Sequence, residues 1–206
     1  MRCCNVGSEQ YEGYDRVSSI LDTYQDPKLI EWKILKGKKE YKRISKVATD
    51  IGTNVDAYIK AEIIGSKLPK LKTQEAENCI EAWHKWVEDY GIDVSKLDVG
   101  VRLFCDETKV CGEPDVIIPF QEEVLDIKCS SSIRPNYWLQ TNWYAKQANL
   151  PMRSILRLDK SLAIYEYERL PVSDEESMVF KCLTVIYRYF KPTKEVEDEP
   201  HSITQD

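Results

Sequence analysis

The chain has 206 residues, of which 42% are hydrophobic and 31% charged, and its formal net charge is −6. That length suits one domain with its own core, and the negative total excludes a protein that holds nucleic acid by bulk charge alone. No run of about 18 apolar residues is present to cross a membrane, and Met1–Gln10 lacks the apolar stretch of a secretory signal, so a cytoplasmic setting is expected.

Residues 1–14 show no hydrophobic periodicity and are expected to form a flexible arm. Val17–Tyr24 reads as a short helix, with Asp15 or Ser18 available as a cap. Pro27 opens the next helix and Gly37 lies near its end. A long helical pattern then covers roughly 40–65. In it Ile44, Val47, Ala48, Ile51, Val55, Tyr58 and Ile59 recur at three- and four-residue steps, which predicts one buried stripe. Gly52 interrupts the pattern, either for close packing or as a break. Thr73 caps a further helix with Cys79, Ile80, Trp83, Val87 and Tyr90 on its apolar side, and Gly91 closes it.

The pattern then turns to short β-rich runs at 99–106, 109–120 and 122–129, the last two joined around Gln121-Glu122. Pro135 begins a helix over about 135–149. Strands at 153–159 and 162–169 meet at Lys160-Ser161, and a helix from Ser173 to Tyr189 follows. The acidic stretch 193–206 is expected to be disordered. Helices followed by β-β-β-α-β-β-α predict an α/β fold, a central mixed β-sheet flanked by helices with an N-terminal helical region. The expected division is one domain over 15–192, helical over 15–92 and carrying the chemistry over 93–192.

The seven cysteines, Cys3, Cys4, Cys79, Cys105, Cys111, Cys129 and Cys182, are odd in number and contain no Cys-x-x-Cys pair. Neither a disulfide framework nor a standard zinc site is favoured, and free thiols are expected. Charge is uneven: Lys33–Lys46 carries seven basic residues against one Glu. Such a patch, with Lys39, Lys42 and Arg43 at its centre, can bind phosphate even on an acidic chain; a solvated helix face is the plainer reading.

Two short motifs carry chemistry. Gly112-Glu113-Pro114-Asp115 is followed, after ten intervening residues, by Asp126-Ile127-Lys128. Lying at the ends of neighbouring strands, Asp115 and Asp126 can share Mg²⁺ or Mn²⁺ through hard oxygen ligands, with the Ile127 carbonyl assisting. Lys128, two residues past Asp126, emerges on the same strand face. There it can orient water or neutralise developing charge in phosphodiester hydrolysis. On the next helix, Gln140 and Tyr144 share a face and suit contacts to phosphate or base. Ser130, in the polar turn after Lys128, is a further phosphate candidate. Two histidines, His84 and His201, are too few for a histidine metal cage. A P-loop is absent.

Together these motifs resemble the signature of the PD-(D/E)XK nuclease superfamily in its RecB-like, phage-type exonuclease branch. The segment Gly52-Thr53-Asn54-Val55-Asp56-Ala57-Tyr58-Ile59 is similar to a family helix that bears a metal-binding histidine where this chain has Asp56. The resemblance implies a restriction-endonuclease-like core and a Mg²⁺- or Mn²⁺-dependent DNA nuclease. Its metal ligands would be Asp56, Asp115, Asp126 and the Ile127 carbonyl; Asp115, Asp126 and Lys128 would be catalytic. Gln140, Tyr144, Ser130, Lys39, Lys42 and Arg43 would contact DNA. A second departure is Arg102, which stands on the strand where relatives often carry Glu. Some relatives bind an iron–sulfur cluster through four cysteines, three of them near the C-terminus; only Cys182 lies late here, so no cluster is expected. By resemblance the chain is an exonuclease in viral or phage DNA replication, recombination or repair, acting in the host cytoplasm if viral. A single-strand-specific endonuclease of the same superfamily and a non-catalytic DNA-binding protein are the alternatives. A homo-oligomer stays open, as relatives form rings.

Overall fold

The computed structural model describes residues 13–191, so Met1–Glu12 of the expected arm and the whole acidic tail, 193–206, lie outside the described residues. The elements run β1 (Asp15–Arg16), α1 (Val17–Leu21), α2 (Pro27–Ile64), α3 (Gln74–Asp89), β2 (Leu103–Cys105), β3 (Val110–Gly112), β4 (Val116–Ile118), β5 (Glu123–Lys128), α4 (Pro135–Ala148), β6 (Met152–Leu158), β7 (Tyr165–Pro171) and α5 (Asp174–Phe190). This is a mixed α/β fold with two sheets. One has three strands in the order β1-β3-β2; the other has four, in the order β4-β5-β6-β7.

In the larger sheet β4 and β7 are antiparallel edges, while β5 and β6 run parallel with α4 as their connection. A parallel pair needs such a crossover. One core packs α2 and α3 on one side of this sheet, through Ile51, Val55, Ile59, Ile80, Trp83 and Trp86 against Leu125, Leu156 and Leu158. The other core joins α1, α4 and α5 to both sheets through Ile20, Leu103, Val124, Trp143, Tyr144 and Phe180. Alternation along β5 sends Leu125 into the first core and Val124 into the second.

Local chemistry explains several boundaries. Asp26 accepts from the Lys28 amide ahead of Pro27, and Thr73 accepts from the Ala76 amide at the start of α3. Gly37 takes φ 73° and ψ 158°, which kinks α2 where the sequence suggests one helix ending.

Four expectations are corrected. The buried stripe on α2 begins only at Ile51; Ile44 and Ala48 are half-buried and Val47 is 47% exposed, because among the described residues none covers the first half of the helix enough to bury it. Gly52 neither breaks the helix nor permits close packing, since a Cβ there would meet nothing within 4 Å. Neither Asp15 nor Ser18 caps α1; its N-cap is Arg16, without a side-chain bond, and Asp15 instead pairs with Arg188 and Lys191. The expected strand 109–120 is two strands in two sheets. Pro114 cannot donate to a ladder, so the chain changes sheets within Gly112–Asp115.

Candidate active site

That change of sheets builds the centre of the site. β4 and β5 pair Val116 with Leu125, and one further step places Asp115 opposite Asp126. Asp115 Oδ2 accepts from the Ile127 amide at 2.7 Å, which fixes its carboxylate beside the end of β5. Asp126 and Lys128 follow Val124 on the face towards α4. Lys128 Nζ lies 2.6 Å from Asp126 Oδ2. The ammonium also donates to Gln140 Oε1 at 3.3 Å, and Gln140 Nε2 donates to the Tyr144 hydroxyl at 3.1 Å. Tyr137 places its ring beneath Lys128, 5.0 Å from the ammonium.

Gly112 has a stated role in this arrangement. A Cβ there would come within 2.6 Å of Tyr144 Cε1 and 3.1 Å of Val17 Cγ2. The motif therefore begins with glycine because the Tyr144 ring packs on its backbone.

The electrostatics follow from burial. Asp126 is 1% exposed, and neither of its carboxylate oxygens accepts a well-directed hydrogen bond. The Lys128 contact is close enough for an ion pair, but its angle does not satisfy the oxygen. Burial raises the Asp126 pKa, Lys128 opposes and Asp115 adds to the rise, leaving it pushed up to about 7. Burial works against the charge on Lys128, but Asp126 and Asp115 outweigh it and hold the ammonium above the ordinary lysine range. Burial also pushes the Tyr144 phenol up.

A cleft of about 540 Å³ opens beside these groups, lined among others by Thr49, Gly52, Asp56, Asp115, Lys128 and Ser130. Asp56 reaches it from α2. Burial and then Asp115 raise its pKa, while Lys60, one turn along, partly offsets them. Lys60 Nζ lies 3.2 Å from Asp56 Oδ2 and 3.4 Å from Glu113 Oε1, and Arg102 Nε lies 3.4 Å from Glu113 Oε2. Glu113 thus turns to two cations.

The sequence-derived residues separate into three groups. Asp115, Asp126, Ile127, Lys128, Gln140 and Tyr144 form one connected cluster. Asp56 and Ser130 share the cleft with it, and the Ser130 hydroxyl donates to the Ser132 carbonyl at 2.9 Å. Tyr144 is only 4% exposed, so its hydroxyl meets Gln140 instead of the cleft. Lys39, Lys42 and Arg43 are exposed on the first half of α2 and do not line the cleft; Arg43 pairs with Glu40 at 2.8 Å. Lys60, Tyr137 and Cys129 are cleft neighbours that the motifs did not reveal. Lys60 had a signal, its four-residue spacing from Asp56 on one helix.

A buried carboxylate with unsatisfied oxygens facing a second carboxylate is a donor set that suits a hard divalent cation. Asp115 and Asp126 fit that role as a pair. No three His, Cys, Asp or Glu side chains among the described residues converge as a ligand group, so Asp56 does not close around that pair.

Solved structures share this architecture. A putative exonuclease from Eubacterium rectale matches with a TM-score of 0.57 at 16% identity, over 89% of this chain and 84% of its own. An alkaline exonuclease from Laribacter hongkongensis matches with a TM-score of 0.51 at 12% identity, over 88% and 91%. The fold is that of these exonucleases. A complex of the Laribacter protein with dAMP gives a TM-score of 0.50 at 12% identity, over 87% and 88%. No protein-family model and no curated relative matches the chain.

Proposed function

We propose that this chain is a Mg²⁺- or Mn²⁺-dependent deoxyribonuclease of the PD-(D/E)XK type, acting as an exonuclease. The observation that carries the reading is the cluster at the end of β5. Asp115 and Asp126 stand opposite each other, Asp126 has unsatisfied buried oxygens, and Lys128 stands beside them at the cleft. The fold shared with exonucleases supports it.

Asp115, Asp126 and the Ile127 carbonyl would hold the cation, with Asp56 approaching from α2. Such a cation, when bound, supplies Lewis-acid polarisation of the phosphoryl oxygen and lowers the pKa of bound water. Lys128 is held as an ammonium, so it serves as a cation and hydrogen-bond donor to the phosphoryl oxygen, not as a base. Gln140 keeps the ammonium in place, and buried Tyr144 holds Gln140. Tyr144 thus acts on substrate through Gln140. Lys39, Lys42 and Arg43 would guide the strand towards the cleft, and Ser130 would meet a phosphate. Replication, recombination or repair, in a viral or phage setting, rests on the sequence resemblance alone.

The test uses end-labelled linear and circular single-stranded DNA with Mn²⁺ or with EDTA. The expected result is Mn²⁺-dependent degradation of linear DNA that Lys128→Ala abolishes while the circular dichroism spectrum is unchanged. Cleavage of circles would replace the exonuclease reading with the endonuclease one. Binding without cleavage of any substrate would leave a non-catalytic DNA-binding protein.

A further inference from the structure

Helix α5 is apolar on two faces, and the core uses one of them. On the inner face Phe180 and Thr184 are buried, and Leu183 and Tyr187 pack beside them on the core that joins α1 and α4. The outer face carries Met178, Cys182, Val185 and Tyr189, all exposed, with Val179 and Ile186 along one edge. Val185 is 69% and Tyr189 82% exposed, and among the described residues none buries this face. Helix α3 shows how a solvated face reads in the same protein: its exposed positions Glu77, Glu81, His84, Lys85 and Glu88 are all polar. A contiguous face of aliphatic side chains and rings is instead the mark of an interaction surface.

The spacing names the partner. Met178, Cys182, Val185 and Tyr189 follow one another at steps of four, three and four, the pattern by which two helices pack side by side. These steps read the same in both directions. A second α5 turned end for end therefore sets Met178 against Tyr189 and Cys182 against Val185, with a two-fold axis between residues 183 and 184. That alignment also brings the Val179–Ile186 edge against its own copy. Parallel helices would set this edge against the opposite one, which holds Asp174, Lys181 and Arg188. The helix ends agree. The first turn carries Asp174, Glu175 and Glu176 and the last turn Arg188, so antiparallel helices bring acids towards a base and parallel ones would bring acids together.

We propose that the outer face of α5 is a homodimer surface that packs antiparallel against α5 of a second copy of this chain. The contact uses the same patch on both copies and closes at two. Its size is sufficient. A covered aromatic side chain accounts for about 150–250 Å². Tyr189 and neighbouring Phe190, which is 74% exposed, together with the aliphatic seam therefore approach the roughly 800 Å² per partner of a specific interface. None of the seam residues lines the cleft, so both clefts stay open in the dimer, and the surface stands independently of the nuclease reading.

Light scattering and sedimentation equilibrium of the full-length, reduced protein test the surface. The expected mass at micromolar concentration is twice 24.0 kDa. Val185→Glu should raise the dimer dissociation constant at least about a hundredfold, since it places a carboxylate in the interface twice, and should leave the circular dichroism spectrum unchanged. If Val185→Glu does not fold, Tyr189→Glu repeats the test at the most exposed seam position. Orientation is read by oxidative cross-linking in Cys182→Ser protein, with linked peptides identified by mass spectrometry. Chains carrying Met178→Cys should link at that position to chains carrying Tyr189→Cys when the two are mixed, and neither should link to itself there. A monomer, or a dimer that Val185→Glu leaves intact, overturns the surface. A ring of three copies overturns the two-fold axis, and self-linking of Met178→Cys overturns the antiparallel order.

Discussion

On the α4 side of the cleft, Lys128 and Asp126 pair at 2.6 Å with side chains 20% and 1% exposed; on the α2 side, Lys60 and Asp56 pair at 3.2 Å with 29% and 42% exposed. The first pair is backed by Gln140, Tyr144 and the Tyr137 ring. The second is a helical pair one turn apart that shares its lysine with Glu113. Field strength differs accordingly. A charge shielded from water acts at full strength on its neighbours, whereas a half-exposed pair is screened by water and salt. The α4 wall therefore holds its charges fixed ahead of the proposed chemistry, and the α2 wall is the more screened of the two.

The lysines put that contrast to the largest test. Lys128→Met should lower cleavage by about 10²–10⁴-fold, as loss of a charge stabiliser does at a water-excluded site. Lys60→Met should cost less than about tenfold, because screened pairs contribute little. Single-turnover rates with saturating Mn²⁺ compare them. Equal losses would mean that both walls take part in the chemistry alike.

Titration gives the next largest effect. With its pKa pushed up to about 7, Asp126 takes up a proton below that pH, and a cation bound there as proposed would have to displace it. Mn²⁺ affinity, measured by calorimetry, should fall by up to about tenfold per pH unit below about pH 7 and level off above it. The same group has a sign for stability. Its pKa is raised on folding from 3.8, so the folded state holds the proton more tightly, and stability falls as the pH rises from about 4 to about 7. An affinity independent of pH between about 6 and 8 would place the cation away from Asp126.

Gly112→Ala probes how the α4 wall is held. The new methyl meets Tyr144 Cε1 at 2.6 Å, and the ring is buried between Val17 and α4, so it cannot swing free. Destabilisation of about 1–3 kcal/mol is expected by chemical denaturation. Loss of cleavage should accompany it, because Gln140 hangs on Tyr144. Wild-type stability would show that the ring yields and that the wall is softer than its contacts imply.

Much of this wall was legible in the sequence, and the reason is periodicity. Alternation along 122–129 puts Asp126 and Lys128 on one face, and a four-residue helical step joins Gln140 to Tyr144. What escaped depends on partners distant in the chain. The stripe through Ile44, Val47 and Ala48 has the right spacing, but periodicity states which side could be buried and not whether anything packs there. The division of 109–120 between two sheets was signalled by Pro114, whose missing N–H forbids a continuous ladder. Nothing local in the sequence marks Arg153 as buried; it is 2% exposed, with the Trp138 and Pro171 carbonyls and Glu176 converging on it. The joining of Lys60 to Glu113, 53 positions apart, has no local signal at all.

The first half of α2 carries the smallest effect, and it separates binding from folding. No residue from Pro27 to Asp50 is buried, while Ile51, Val55 and Ile59 anchor the second half in the core. Arg43 lies five positions before Ala48 at the cleft edge, about 7.5 Å along the helix at 1.5 Å per residue. Replacing Lys39, Lys42 and Arg43 together by Gln should therefore leave the unfolding free energy within about 0.5 kcal/mol. Affinity for single-stranded DNA should drop severalfold. The slope of log affinity against log salt should shrink by about 2, since each lost phosphate contact removes about 0.7. An unchanged slope would show that the strand leaves the cleft by another route, and the basic run would then be a solvated helix face and nothing more.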